Sequence, residues 1–147
     1  MYKKILVPLD GSKRAEMILP HAEDLAGIYQ AEIILLNSIE HFFSANGEGI
    51  FVEFSIDDFN REQYDAHFYL NKIAVNFAGK NIKTQIRLAA GPPVDAIIET
   101  AGKENVDLIA MTRGGGREIT RSVYGSVAPG VLNRADRSLL VIWSPNE

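Results

Sequence analysis

Residues 106–126 read Val106-Asp-Leu-Ile-Ala-Met-Thr-Arg-Gly-Gly-Gly-Arg-Glu-Ile-Thr-Arg-Ser-Val-Tyr-Gly-Ser126. The apolar run at 107–111 is typical of a buried strand, and three consecutive glycines follow it. Gly125-Ser126 then stands directly before another apolar helical stretch. Because glycine adopts backbone conformations closed to other residues, such a loop can aim several N–H groups at an anion beside a helix start. An ordinary capped connection is the alternative, but glycines at both ends of one loop favour a phosphate site.

Five short apolar runs alternate with helical patterns along the chain. The run at 107–111 is the fourth of them. The predicted strands are residues 5–9, 32–37, 84–89, 107–111 and 138–143. Several are continuously apolar, which is typical of parallel strands covered by helices on both faces. The pattern therefore predicts a doubly wound α/β sheet with right-handed crossovers. The predicted helices are one marked by Ala15, Ile18, Ala22 and Leu25, a long one at 57–78, one from Pro93, and one at about 126–134.

Two prolines conflict with the helix pattern. Pro20 lies inside the first predicted helix and should kink it or remove a hydrogen bond. Pro129 is tolerable in the fourth helix only if that helix begins near Ser126. Residues 40–56 form a long connection that is rich in aromatic side chains, so we expect this segment to fold over the sheet edge, a site or a partner surface.

Composition indicates a single domain over residues 1–147 and excludes several classes of function. A net charge of −4 argues against a general nucleic-acid binder. The chain has no cysteine, so it has no disulfide, thiolate nucleophile or cysteine-ligated metal. The apolar run near the start is too short for a signal peptide, and no 18-residue apolar stretch follows. We therefore expect a cytoplasmic protein without membrane insertion.

Candidate binding residues lie where strands end, because open parallel sheets bind ligands outside the carboxyl ends of their strands. Asp10 follows the first strand, where its carboxylate can bind a sugar hydroxyl or base amino group, or cap the first helix. Arg113 and its neighbours around the glycines can neutralise phosphate or form a solvated basic loop. None of the three histidines stands at a strand end, and neither the P-loop nor the dinucleotide glycine motif is present.

Five stretches together resemble the universal stress protein family: Ile5-Leu-Val-Pro-Leu-Asp-Gly-Ser12, Ile34-Leu-Leu-Asn-Ser38, Gly91-x-Pro93, Val106-Asp-Leu-Ile-Ala-Met111 and Gly125-Ser-Val127. The resemblance covers essentially the whole chain. It implies a five-stranded parallel sheet, doubly wound in the order 3-2-1-4-5 with helices on both faces. It also implies a homodimer formed across the last strand, Ser138–Trp143. Members of the family divide into those that bind ATP and those that do not.

The nucleotide-binding members carry Gly-x2-Gly-x9-Gly-[Ser/Thr] after the fourth strand. Gly115, Gly125 and Ser126 match the last three positions, but Thr112 occupies the first. A side chain therefore stands where the family lets the backbone approach its ligand. Thr112 can contribute its hydroxyl instead, provided that its backbone is not required at positive φ.

The family's roles can be transferred onto the matching positions of this sequence. Asp10 would meet the ribose or adenine, Ser38, Met111 and Val127 would line the adenine pocket, and the glycine loop would hold phosphates. The predicted nucleotide-binding residues are Pro8, Leu9, Asp10, Ser38, Met111, Thr112, Arg113, Gly115, Gly125, Ser126 and Val127. The ligand would be ATP, AMP or another adenine nucleotide, with any Mg²⁺ held largely by phosphates and water.

We therefore predict a stress-response protein that binds an adenine nucleotide and acts as a regulatory module sensed by a protein partner. One alternative is a dimeric interaction module that has lost the nucleotide, which Thr112 favours. The other is a slow ATP hydrolase. No dedicated base or water-positioning residue is visible in the sequence. Any hydrolysis should therefore fall below about one event per minute, far under the typical enzymatic turnover of about 10 s⁻¹.

Overall fold

A computed structural model describes residues 1–39, 56–113 and 127–144 of the chain. Strands and helices alternate in these residues, with a 3₁₀ helix at Ala15–Ile18 between the first strand and the first α-helix. The elements are β1 (Lys4–Pro8), α1 (Leu19–Tyr29), β2 (Glu32–Ile39), α2 (Ile56–Ala78), β3 (Thr84–Ala90), α3 (Pro93–Lys103), β4 (Leu108–Arg113), α4 (Val127–Arg134) and β5 (Ser138–Trp143). Apart from Ile56, the long connection at 40–56 lies outside the described residues.

The five strands form one parallel sheet in the order β3-β2-β1-β4-β5, which confirms the predicted fold. β1 lies at the centre, with Ile5 paired to Ile33 on one side and to Leu108 on the other. This order requires the connections to cover both faces of the sheet, because parallel neighbours are joined by right-handed crossovers.

Alternate residues of the strands pack into two separate cores. Ile5 and Val7 face α1 and α2, where they join a cluster that includes Leu70. Leu6 faces the opposite way and joins a cluster with Ile97 of α3 and others from α4. The side chains of Ile5, Leu6 and Val7 are fully buried, so β1 is covered on both faces. The continuous apolar strand sequences are explained by this double burial.

The structure corrects the prediction for Pro20. The first helical segment is divided into the 3₁₀ helix and α1, and Pro20 occupies the first turn of α1. The carbonyl of Glu16 accepts a hydrogen bond from the Leu19 N–H, so it does not need the donor that proline lacks. Pro129 lies in the first turn of α4, which begins at Val127 and meets the stated condition.

The fourth strand begins one residue later than predicted. The prediction includes residue 107, whereas β4 begins at Leu108 and continues through Thr112 to Arg113. Directly before β4, the Asp107 carboxylate accepts the backbone N–H groups of Lys3 and Lys4, and the Asp107 N–H donates to the Lys4 carbonyl. None of the helices in the three described ranges has the length and apolar character of a membrane span.

Gly130 of α4 packs closely against Val94 of α3. A Cβ at Gly130 would stand 2.8 Å from Cγ2 of Val94. We expect Gly130→Ala to lower the free energy of unfolding by about 1 kcal/mol, because overpacking costs of about 1–3 kcal/mol exceed the gain in helix propensity. Removing the opposing side chain with Val94→Ala should make the same substitution stabilising.

Urea denaturation of the two single variants and the double variant measures this coupling. Gly102→Ala on α3 is the matched control, because a Cβ there meets no atom of the described residues within 4 Å. That control should gain up to about 1 kcal/mol. Additive effects of Gly130→Ala and Val94→Ala would contradict the packing described here.

Candidate nucleotide site

The carboxyl ends of β1 and β4 lie side by side at the point where the order of the sheet reverses. The chain leaves β1 toward β2 on one side, and β4 begins the other side of the sheet. Pro8 ends β1 and is followed by Leu9 and Asp10, while residues 111–113 end β4. Strands that diverge in this way open a crevice at their carboxyl ends, which is where α/β sheets bind ligands.

The turn that follows β1 is built by backbone and side-chain hydrogen bonds. Gly11 has a φ of +87°, a conformation that favours glycine. The Asp10 Oδ1 atom accepts the Ser12 N–H at 2.9 Å, and Ser12 Oγ accepts the Ala15 N–H at 3.0 Å. Ser12 therefore takes the capping role that was considered for Asp10. The exposed Asp10 carboxylate stays at the top of the turn.

Three predicted pocket residues share the face of the sheet that carries α3 and α4. Met111 belongs to the core on this side, and Val127 packs against that core from the start of α4. Ser38 lies two residues beyond Leu36, whose side chain is in the same core, so Ser38 points to the same face. Ser38 is half-buried and pairs with Ala89 at the end of β3.

Thr112 faces the opposite way from Met111. Its side chain is buried, and its hydroxyl donates to the carbonyl of Ala15 at 3.2 Å. Its backbone is extended and pairs with Ile142 of β5, so residue 112 does not require a positive φ here. The threonine hydroxyl is thus engaged in joining β4 to the 3₁₀ helix.

The 3₁₀ helix is held by a different element at each of three successive residues. Thr112 of β4 binds Ala15, as described above. Tyr69 of α2 donates its hydroxyl to Glu16 Oε2 at 2.8 Å, and the hydroxyl of Ser144 lies 3.1 Å from the sulfur of Met17. The segment that follows the Asp10 turn is therefore fixed to a helix and to the ends of two strands.

Tyr69 and Asn37 are two positioning residues that sequence reasoning missed. The Asn37 side chain donates to the carbonyl of Leu9 at 2.9 Å and so ties β2 to the end of β1. A polar residue at the end of an apolar strand was the available signal for Asn37. The sequence gives no signal for Tyr69, because its position in the helical period is that of an ordinary core residue. Its partner, Glu16, is 53 positions away in the chain.

The charge state of Tyr69 is set by its surroundings. Burial, followed by the hydrogen bond to Glu16 and the negative charges of Glu16 and Asp10, raises the pKa of the Tyr69 phenol well above its usual range. Tyr69 therefore remains a protonated hydrogen-bond donor throughout the working pH range.

The glycine-loop residues Gly115, Gly125 and Ser126 lie outside the described residues. Arg113 is exposed at the end of β4, directly before that loop. In the part of the chain that the structure describes, no three histidine or acidic side chains are grouped as metal ligands. The described part of the crevice thus offers a carboxylate, a hydroxyl, an arginine and apolar side chains.

A sequence profile of the universal stress protein family matches residues 1–142. The chain belongs to the universal stress protein family. Universal stress protein MJ0531 of Methanocaldococcus jannaschii is 30% identical over 149 residues, an alignment that covers 100% of this chain and 85% of the relative.

Solved structures of this family share the fold. That of MJ0577, a universal stress protein of the same organism, has a TM-score of 0.84 at 28% identity and covers 100% of this chain and 99% of that one. The universal stress protein of Archaeoglobus fulgidus in complex with dAMP has a TM-score of 0.64 at 18% identity. That alignment covers 96% of this chain and 98% of the other, and at this identity the likeness concerns the fold alone.

Thr112 provides a direct test of the tie between β4 and the 3₁₀ helix. We expect Thr112→Val to lower the free energy of unfolding by about 1 kcal/mol, because the hydrogen bond that joins β4 to the Ala15 carbonyl is lost. Thr112→Ser keeps the hydroxyl and should retain more of the stability. Urea denaturation measures both.

The matched control is Thr84→Val. The Thr84 hydroxyl bonds only two residues away, to the carbonyl of Ile82, at a half-buried position. Its loss should cost less than the loss at Thr112. Equal stability of wild type and Thr112→Val would show that this hydrogen bond does not hold the two elements together.

Proposed function

We propose that this universal stress protein binds an adenine nucleotide in the crevice at the carboxyl ends of β1, β2 and β4. The observation that supports the proposal is the topology: the Asp10 turn, Ser38 and Met111 follow or end neighbouring parallel strands where the sheet order reverses, and Val127 packs on the Met111 side. The dAMP complex of a protein with this fold supports the same class of ligand.

Each described residue has a chemical part in this proposal. Met111 and Val127 offer apolar surface to the adenine ring, while Ser38 offers a hydroxyl to its polar edge. The Asp10 carboxylate accepts hydrogen bonds from the ribose hydroxyls or the base amino group. Pro8 and Leu9 hold the end of β1 in place, since the Leu9 N–H donates to Leu36 and its carbonyl accepts from Asn37.

The phosphates would extend toward Arg113 and the glycine loop. Backbone N–H groups of Gly115 and Gly125, with the Ser126 hydroxyl, would bind phosphate oxygens at the start of α4. Arg113 would add positive charge, and Mg²⁺ would be held mainly by phosphates and water. ATP and AMP are the ligands we propose, without efficient hydrolysis.

The proposed regulatory role requires a partner protein that recognises the nucleotide-bound state. We propose one domain over residues 1–147, working in the cytoplasm, whose nucleotide occupancy is sensed by a protein partner. Such sensing requires the nucleotide to bind one conformation more tightly than another.

We also propose a homodimer formed through β5. The alternative function, an interaction module that binds no nucleotide, requires the same dimer. β5 is an edge strand, and it exposes 38% of Val141 and 68% of Trp143. An exposed apolar edge favours pairing with another strand, and a two-fold axis would bury the same residues in both copies.

Calorimetry on nucleotide-stripped protein tests binding. We expect a Kd for ATP or AMP in the micromolar range or tighter, which corresponds to about −8 kcal/mol. Asp10→Asn should weaken binding about tenfold through loss of a charged acceptor. Gly125→Val should abolish it, because bulk at the turn displaces the N–H groups aimed at phosphate.

Asp24→Asn, an exposed aspartate on α1, is the control and should bind like wild type. Circular dichroism verifies that each variant is folded. The absence of both a heat signal and a thermal shift at millimolar ATP and AMP would refute the proposed function.

Light scattering at tens of micromolar protein tests the dimer. We expect twice the mass of one chain, and a monomer for Val141→Lys, because lysine at an edge strand opposes pairing. Val75→Lys alters an exposed valine on α2, far from this edge, and should stay dimeric. A monomeric wild-type protein would rule out the dimer.

A further inference from the structure

Tyr69 is linked by hydrogen bonds to the turn that presents Asp10. Its hydroxyl donates to Glu16 Oε2 at 2.8 Å, and the backbone N–H of Glu16 donates to the carbonyl of Ser12 at 3.2 Å. Ser12 ends the turn, and its own N–H donates to the Asp10 carboxylate at 2.9 Å. One side chain of α2 is therefore connected to the turn through Glu16 and Ser12.

Hydrogen bonds hold Gly11 in place where packing does not. Within the described residues, no atom lies within 4 Å of a Cβ built at Gly11, although its φ is +87°. Glycine has the largest conformational freedom to lose on ordering, so an unpacked glycine at positive φ needs other restraints. The bond from the Ser12 N–H to Asp10 supplies one, and the bond from the Glu16 N–H to the Ser12 carbonyl supplies another.

The chain of donors has a fixed direction. Since the phenol stays protonated, it donates its proton to the Glu16 carboxylate, while the Glu16 backbone N–H donates to the Ser12 carbonyl. Neighbouring hydrogen bonds strengthen one another in a partly buried setting. The half-buried phenol thus fixes Glu16, and Glu16 fixes the end of the turn that carries Asp10.

We propose that Tyr69 and Glu16 are positioning residues for nucleotide binding, which hold the Asp10–Gly11–Ser12 turn with the carboxylate ready for the ribose or base. This inference rests on the proposed function and deepens it, since neither residue touches the ligand. A turn that is ordered before binding loses less conformational freedom when the ligand arrives. Without the phenol, the nucleotide must order the turn itself.

The test combines affinity with a direct measurement on the turn. Calorimetry gives the Kd for AMP, and NMR hydrogen exchange gives the opening of the Ser12 and Glu16 amides in ligand-free protein. We expect Tyr69→Phe to weaken binding about five- to tenfold, the value of one hydrogen bond, and to speed exchange at both amides. Glu16→Ala should act in the same direction, and Glu16→Gln should restore part of the affinity by keeping an acceptor.

Tyr64→Phe is the matched control on the same helix. Tyr64 is exposed and stacks on Phe68, so the loss of its hydroxyl should change neither measurement. The double variant Tyr69→Phe with Asp10→Asn should bind no more weakly than Asp10→Asn alone, because Tyr69 acts through Asp10.

Wild-type affinity in Tyr69→Phe would overturn the inference, and so would unchanged exchange at Ser12 and Glu16. Equal loss of affinity in the Asp10→Asn background would overturn the route through Asp10. If wild type binds no nucleotide while Tyr69→Phe still speeds exchange at Ser12, the proposed function fails and the role of Tyr69 in holding the turn is supported.

Discussion

Burial of β1 on both faces is the constraint on which the rest of this structure depends. Ile5, Leu6 and Val7 are fully buried and point alternately to the two faces, so helices must cover both. Right-handed crossovers meet this requirement only if the chain builds one side of the sheet and then returns to build the other. The reversal falls between β1 and β4, and it opens the crevice at their carboxyl ends.

The crevice is shaped by polar contacts that converge on the short 3₁₀ helix. Apolar packing alone leaves a loop at the edge of a sheet free to adopt several conformations, whereas directional hydrogen bonds select one. Thr112 and Tyr69 each engage a different residue of this helix. Thr112 therefore has a structural role, in which its hydroxyl binds the Ala15 carbonyl. This role does not conflict with the proposed adenine pocket, which lies on the other face of β4.

The sequence predicted the fold through two kinds of information. Continuous apolar runs such as 33–36 predicted buried parallel strands, and the family resemblance supplied the strand order, which the structure confirms. Pro20 misled the helix assignment, because a proline inside an apolar period also fits the first turn of a helix that begins later. The start of β4 was misplaced for a comparable reason, since Asp107 binds backbone groups across the sheet.

The candidate site was less accessible from sequence than the fold. The position of Asp10 followed from topology, because it comes directly after a strand whose carboxyl end lies at the reversal. The sequence leaves open whether Asp10 or Ser12 caps the following helix, because both can accept a backbone N–H and only Gly11 separates them. The link from Tyr69 to Glu16 spans 53 positions, and no local pattern encodes such a contact.

An NMR titration with AMP tests the central claim most directly, because it locates the ligand on the sheet. This account predicts saturable shifts of the amide signals of Asp10, Ser38, Met111 and Val127, at the carboxyl ends of the strands. The opposite end of the sheet carries a lysine-lined cavity of about 540 Å³ formed by Lys3, Lys4, Lys80, Lys83 and their neighbours. Shifts confined to that cavity, with the crevice unchanged, would contradict the account.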